Sequence, residues 1–339
     1  MHRLDGYEHH TGNHCGSTSL RNLADYYDWG FDEPTCFGLA SGLGFTFFEV
    51  PESPHRAFFG RPIWLERAFF EHLEIGYDHQ SGPDWHTVWT TLSETIDDGD
   101  PLLLFTDIYY LDYYGTDTHF TPHALLAIGY EGGPEDGTVL LSDSEFDELQ
   151  RLPAARVRQA MASAYMMPST NRHLRVTDPE PGQAFADATI DAIEETARYM
   201  LDPSASDREL GPGTHGLAGV RALAEELPEW TSFDDPQWTV RFAYQNVERR
   251  GTGGGCFRKM YAQFLDTAAV TVPAVPASTA DEMTNIAAEW TAVGETLKTA
   301  SECDDTAAMQ PLLADASDTL YELADKERRV FDALRTAIA

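Results

Sequence analysis

Gly12-Asn13-His14-Cys15-Gly16-Ser17-Thr18-Ser19-Leu20-Arg21-Asn22-Leu23-Ala24-Asp25-Tyr26-Tyr27 is the stretch from which the fold is read. Leu20, Leu23, Ala24 and Tyr27 recur at i, i+3, i+4 and i+7, which marks one face of a helix beginning just after Gly16. Cys15 then sits at the helix N-terminus. A thiol is a nucleophile only as thiolate, and its ordinary pKa of about 8.5 leaves a small reactive fraction at neutral pH. Unpaired N–H groups and the positive end of a helix dipole lower that value, and a neighbouring imidazolium lowers it further. Gly16 has no side chain and lets a substrate carbonyl approach the backbone.

A base for such a thiol has to come from a segment that a sheet holds rigid. Pro101–Thr106, Ala124–Tyr130 and Thr138–Ser142 are short apolar runs bounded by turn formers and are predicted as central strands. His123 begins the second run and Asp143 follows the third. A hairpin through the Gly-rich loop Glu131–Gly137, centred near residue 133, would set His123 opposite Asp143, so that one carboxylate orients one imidazole. Cys15, His123 and Asp143 are thus the candidate nucleophile, base and orienting acid. Taken singly, each has a plainer explanation: a small buried residue, a satisfied strand histidine, a turn cap. The backbone N–H of Cys15 is one oxyanion donor. His9, His10 and Asn13 are side-chain candidates for a second, and the sequence does not rank them.

Gly12–Thr18 with its following helix, Phe37–Phe45, Thr106–Leu111, His123 and Asp143 together resemble the butirosin biosynthesis protein H family. Arg250–Leu265 is similar to the helical domain that commonly follows in that family. The resemblance implies a papain-like, C39-like N-terminal domain that moves an aminoacyl group from an acyl-carrier-protein thioester to an amine, with Cys15 acylated, His123 as base and Asp143 behind it. Papain-like enzymes often carry Gln six residues before the cysteine, where this chain has His9.

The charge concerns environment. Acidic residues number 56 against 23 Lys and Arg, giving a net charge of -33 spread along all 339 residues. Such self-repulsion is screened at molar salt, where the Debye length is about 3 Å, and points to a salt-filled cytoplasm. It argues against nucleic acid, which needs clustered basic residues. The N-terminus lacks the apolar core of a signal peptide, and no apolar run is long enough to span a bilayer. Cys15, Cys36, Cys256 and Cys303 form no paired spacing, so neither a disulfide framework nor a cysteine zinc site is expected. A zinc site from His9, His10, His14, His119 and Cys15 lacks an i, i+4 pair on an evident helix.

Composition shifts near Leu152–Pro153 from aromatic and β-branched segments to Ala, Glu, Asp, Leu and Arg at helical spacing. Helices are predicted at Phe185–Leu201, Leu217–Leu227, Phe257–Ala269, Thr279–Ala300 and Ala307–Ala339, with Val270–Pro276 as a break. The expected architecture is α+β: a papain-like domain over 1–152 and a mainly helical domain over 153–339. The Gly251–Gly255 run lacks the Lys-Ser/Thr ending of a phosphate loop and is expected to turn the chain before a helix. Arg258 is a candidate substrate or domain-junction contact. Tyr109, Tyr110, Tyr113 and Tyr114 could line a cleft, and Trp290 with the late helices could be packing or a homodimer surface.

The function expected is acyl transfer from a thioester or ester donor, such as an acyl-carrier protein or a CoA thioester, to a small-molecule amine. It needs no metal or other cofactor, and neither nucleic acid nor membrane as partner. A peptidase or amidase shares the first half-reaction. A binding protein on the same fold would leave Cys15 unreactive.

Overall fold

A computed structural model describes residues 1–165 and 170–339. In chain order its elements are β1 (His2–Arg3), α1 (Cys15–Tyr26), α2 (Glu33–Leu39), β2 (Thr46–Glu49), β3 (Arg56–Phe59), α3 (Leu65–His72), β4 (Gly76–Gln80), α4 (Trp85–Asp97), β5 (Leu102–Thr106), β6 (His123–Glu131), β7 (Thr138–Ser142), β8 (Gln150–Pro153), α5 (Ala154–Met161) and β9 (His173–Asp178). There follow α6 (Phe185–Leu201), β10 (Thr214–His215), α7 (Gly216–Glu226), α8 (Pro236–Glu248), α9 (Arg258–Thr271), α10 (Ala277–Ser301) and α11 (Thr306–Ile338). Helices and antiparallel sheets are mixed, which is compatible with an α+β chain. No helix among the described residues is long and apolar enough to cross a membrane.

Two compact units divide the chain, and both are discontinuous: Met1–Cys36 with Glu74–Gly182, and Phe37–Leu73 with Gln183–Ala339. This division runs differently from the shift in composition. Residues 37–73 pack with the late helices, and β8, α5 and β9 stay with the early strands.

The first unit is built on an antiparallel sheet of order β4-β9-β5-β6-β7-β8. β6 is its spine, buried on every residue but the last, which is why it reads as an unbroken apolar run. One edge of β6 takes β7, and the other takes β5 up to Ala127 and then β1 at Gly129 and Tyr130. α1 packs against β6, and Leu20, Leu23 and Ala24, from the apolar face expected from the spacing, are buried.

The second unit combines the three-stranded sheet β10-β2-β3 with α6–α11, in which α10 packs on α8, α9 and α11. All five predicted helices occur, with ends within two residues of expectation, and the Val270–Pro276 break separates α9 from α10. Gly255 lies in a left-handed turn before α9, at φ +57, where a Cβ would meet Ala287 O at 2.6 Å. Close backbone approach therefore accounts for glycine there.

Arg258 departs from the expected substrate or junction contact. It is fully buried inside the second unit, with Nε and Nη2 donating to the Glu327 carboxylate at 2.9 and 3.0 Å and Nη1 to Cys256 O at 2.8 Å. The guanidinium lies over Trp290, whose indole N–H donates to the same carboxylate at 2.7 Å. A buried guanidinium requires such a partner, and this pairing makes both Arg258 and Trp290 core residues rather than surface groups.

Candidate active site

Cys15 is the first residue of α1 and half-buried. Gly16 follows it in the first helical turn. His123 is the first residue of β6, and Asp143 stands directly after β7; both are buried. His123 Nε2 and Asp143 Oδ2 are 2.9 Å apart. With Nε2 so committed, Nδ1 is the ring nitrogen left for a thiol partner, and Cys15 and His123 each favour the charged form of the other.

The route by which His123 meets Asp143 differs from the expected one. Leu126 faces Ser142, where a hairpin centred near 133 would give Leu140, and the register shifts again between Ala127 and Gly129. The extra residue is a bulge, which bends the strand and re-aims its end. On its other edge His123 pairs with Thr106 of β5, and Asp143, one residue beyond the last β7 pair, reaches its ring from the strand end.

Asp143 accepts four hydrogen bonds. Besides His123, the Tyr113 hydroxyl donates to Oδ2 at 2.9 Å, the Tyr114 hydroxyl to Oδ1 at 3.1 Å, and the Glu145 N–H to Oδ1 at 3.3 Å. Burial opposes its ionisation, but the His123 ring and these donors prevail, and its pKa falls below the ordinary value. Burial likewise opposes charge on His123, which Asp143 and Cys15 overcome, so its pKa rises well above the usual one. Burial also opposes the Cys15 thiolate, and the imidazoles of His14 and His123 hold that thiol well below its ordinary value. The three shifts run in the directions that a thiolate–imidazolium pair backed by a carboxylate would need.

The N-terminus of α1 is organised by a carboxylate that the sequence did not single out. Glu33, buried at the start of α2, accepts the backbone N–H groups of Asn13 (2.9 Å) and His14 (2.9 Å) and the hydroxyls of Ser17 (3.0 Å) and Thr18 (2.9 Å). At Gly12 a Cβ would lie 2.1 Å from Thr18 Oγ1 and 2.8 Å from Glu33 Oε2, so only glycine fits.

The side chains considered as oxyanion donors are turned elsewhere. His9 spans Ser142 Oγ and Phe146 O, each at 2.7 Å, and His10 Nε2 pairs with Asp25 at 3.2 Å. The Asn13 amide donates to Glu33 at 3.1 Å. Tyr109 stacks on His119, centroids 4.1 Å apart, and with Leu111, Asp112 and Arg156 lines a depression of about 280 Å³. The tyrosines that reach Asp143 are Tyr113 and Tyr114. His119 itself pairs with buried Asp107 at 2.7 Å. Among the described residues, no group of three or more His, Cys, Asp or Glu is placed to hold a metal ion.

Residues 14–144 match the family described as butirosin biosynthesis protein H, N-terminal. Residues 155–334 match the family described as a domain of unknown function, DUF4872. No curated protein matches the chain.

Proposed function

Because this chain belongs to the DUF4872 family and its N-terminal part is similar to that of butirosin biosynthesis protein H, we propose that it is a biosynthetic acyltransferase working through a Cys15 acyl-enzyme. The observation that carries this is the 2.9 Å contact of His123 with Asp143, on a ring that also favours the Cys15 thiolate. A papain-like arrangement of the first unit is supported by α1 bearing the cysteine against β6 and by the histidine at the start of β6.

In this scheme the Cys15 thiolate attacks the carbonyl of a thioester donor, carried by an acyl-carrier protein or CoA, and the Cys15 N–H receives the developing oxyanion. The tetrahedral intermediate expels the donor thiolate, which takes the proton from His123. An amine acceptor then attacks the acyl-enzyme and loses its proton to His123, and Cys15 leaves as thiolate. Asp143 keeps the His123 ring in one orientation throughout. No cofactor takes part. The excess of acidic residues fits a salt-filled cytoplasm as the working environment.

The test is Cys15 alkylation by iodoacetamide against pH at molar salt, followed by incubation with acyl-CoA thioesters and intact mass. Labelling well below pH 8 that slows in His123→Ala, with an acyl adduct on Cys15 discharged by added amine, supports transfer. An adduct discharged by water as fast as by amine makes the protein a hydrolase, and labelling no faster than that of a free thiol leaves a binding protein.

A further inference from the structure

Asp107, directly after β5, is fully buried and accepts four hydrogen bonds. His119 Nδ1 and the Ser163 hydroxyl each donate to Oδ2 at 2.7 Å, and the Tyr109 and Phe120 N–H groups donate to Oδ1 at 3.2 and 3.1 Å. A carboxylate only accepts, so Nδ1 carries the proton and Nε2 of the neutral ring presents its lone pair. Tyr109 and Tyr165 both stack on the imidazole, with centroids at 4.1 and 4.5 Å and planes within 17°. The His119 side chain stays 29% exposed, and its Nε2 has no partner among the described residues. Three other donors already hold Asp107, and a structural pin gains nothing from an open, unpartnered nitrogen; a proton-accepting site requires one.

This pair hangs from the same strand ends as His123. Thr106, the residue before Asp107, faces His123 across the ladder and donates its hydroxyl to His123 O at 3.0 Å. The chain then makes two short 3-10 turns, Ile108–Tyr110 and Asp112–Tyr114. The first packs Tyr109 and Tyr110 on His119, and the second sends Tyr113 and Tyr114 to Asp143. Two His–Asp pairs therefore share one end of the sheet and one connecting segment. Tyr109 is also a wall of the depression of about 280 Å³, in which Arg156 is paired with Asp112 while the Asp117 carboxylate has no ion pair among the described residues, a balance that favours a cation. The titratable groups facing His119 are Asp107, the phenols of Tyr109 and Tyr110, and that of Tyr165 after α5; Arg156 of α5 lies over Tyr110 at 5.6 Å.

We propose that His119, backed by Asp107, is a second base, which binds the ammonium group of the acceptor at Nε2 and takes its first proton. This rests on the acyl-enzyme reading. An alkylammonium, with a pKa of about 10, is protonated at neutral pH and must lose two protons to become an amide. His123, neutral once the donor thiolate has left with its proton, takes only the one released as the amine attacks. His119 takes the other, giving the free amine and an imidazolium that Asp107 stabilises and that returns its proton to solvent through the exposed ring edge.

The experiment loads Cys15 from acyl-CoA thioesters in wild type, His119→Asn and His119→Phe, and follows discharge of the adduct by ethanolamine and by hydroxylamine at neutral pH with intact mass. Asn can still donate to Asp107 and Phe can still stack between the tyrosines, neither has Nε2, and circular dichroism checks that both fold. Ethanolamine is protonated at neutral pH and hydroxylamine is not. Both variants are therefore expected to slow discharge by ethanolamine about a hundredfold and to leave acylation and discharge by hydroxylamine unchanged. Equal effects on the two amines, or none, overturn the role of His119 and leave acyl transfer standing. No adduct from any thioester in wild type removes acyl transfer, and the second base with it.

Discussion

The Tyr113 hydroxyl donates to Asp143 Oδ2 at 2.9 Å, the same oxygen that meets His123 Nε2 at 2.9 Å. Tyr114 adds a second phenol on Oδ1 at 3.1 Å and stands 3.3 Å from His123 Nε2, and both rings pack edge-on against Phe146. Asp143 thus shares its negative charge among several donors, which fixes its position and tempers its pull on the imidazole. Burial, and after it the nearby carboxylate, raises both phenol pKa values.

Tyr113→Phe with Tyr114→Phe keeps the rings and removes both donors. Less of the carboxylate charge is then neutralised, so the His123 imidazolium is favoured and the alkaline limb of the activity profile moves to higher pH. Loss of fixed orientation should lower kcat by roughly tenfold to a hundredfold, the equivalent of one or two charged hydrogen bonds. A lower kcat with an unmoved alkaline limb would reduce the phenols to packing.

Cys15 is depressed and His123 elevated, so alkylation of Cys15 should be flat across the neutral range and fall only as the thiolate protonates in acid. Linkage gives the accompanying stability. The Cys15 contribution is full above the unfolded thiol pKa and is lost as pH falls through the folded value. The His123 contribution is full below the unfolded imidazole pKa and is lost as pH rises through the folded one. Denaturant midpoints of wild type and Cys15→Ser against pH should diverge between those limits, and parallel curves would argue against an ion pair.

Glu33→Gln replaces an acceptor-only carboxylate by an amide that presents hydrogens to N–H and O–H donors. About 1–3 kcal/mol of stability should be lost, read as a lower midpoint in denaturant. An unchanged midpoint would mean that the α1 N-terminus does not depend on this carboxylate.

Arg258→Met should cost about 3–5 kcal/mol by leaving Glu327 charged and buried, and Glu327→Leu in the same chain should recover much of it. Additive losses in the double variant would show that the two side chains act separately.

With a net charge of -33, thermal stability should climb steeply between dilute buffer and molar potassium chloride. A flat response would sink the view that the acidic surface is suited to salt.

What the sequence determined by itself is local. Leu20, Leu23 and Ala24 repeat with the helical period, so they specify α1 and put Cys15 at its start, and the apolar runs that became β5, β6 and β7 are legible for the same reason. The likeness of the two halves to known families was also carried by short motifs. Tertiary structure decided how distant segments meet. The β6–β7 turn set Glu131 opposite Thr138 rather than Glu135, so that His123 and Asp143 converge from strand ends rather than across a ladder. Glu33 on α1, Tyr113 and Tyr114 on Asp143, and Arg258 on Glu327 across 69 residues follow no period, because a buried charge takes whatever partner the fold brings within 3 Å. Hydrophobic periodicity records which face of an element is buried, and only the packed chain fixes which polar groups that burial leaves together.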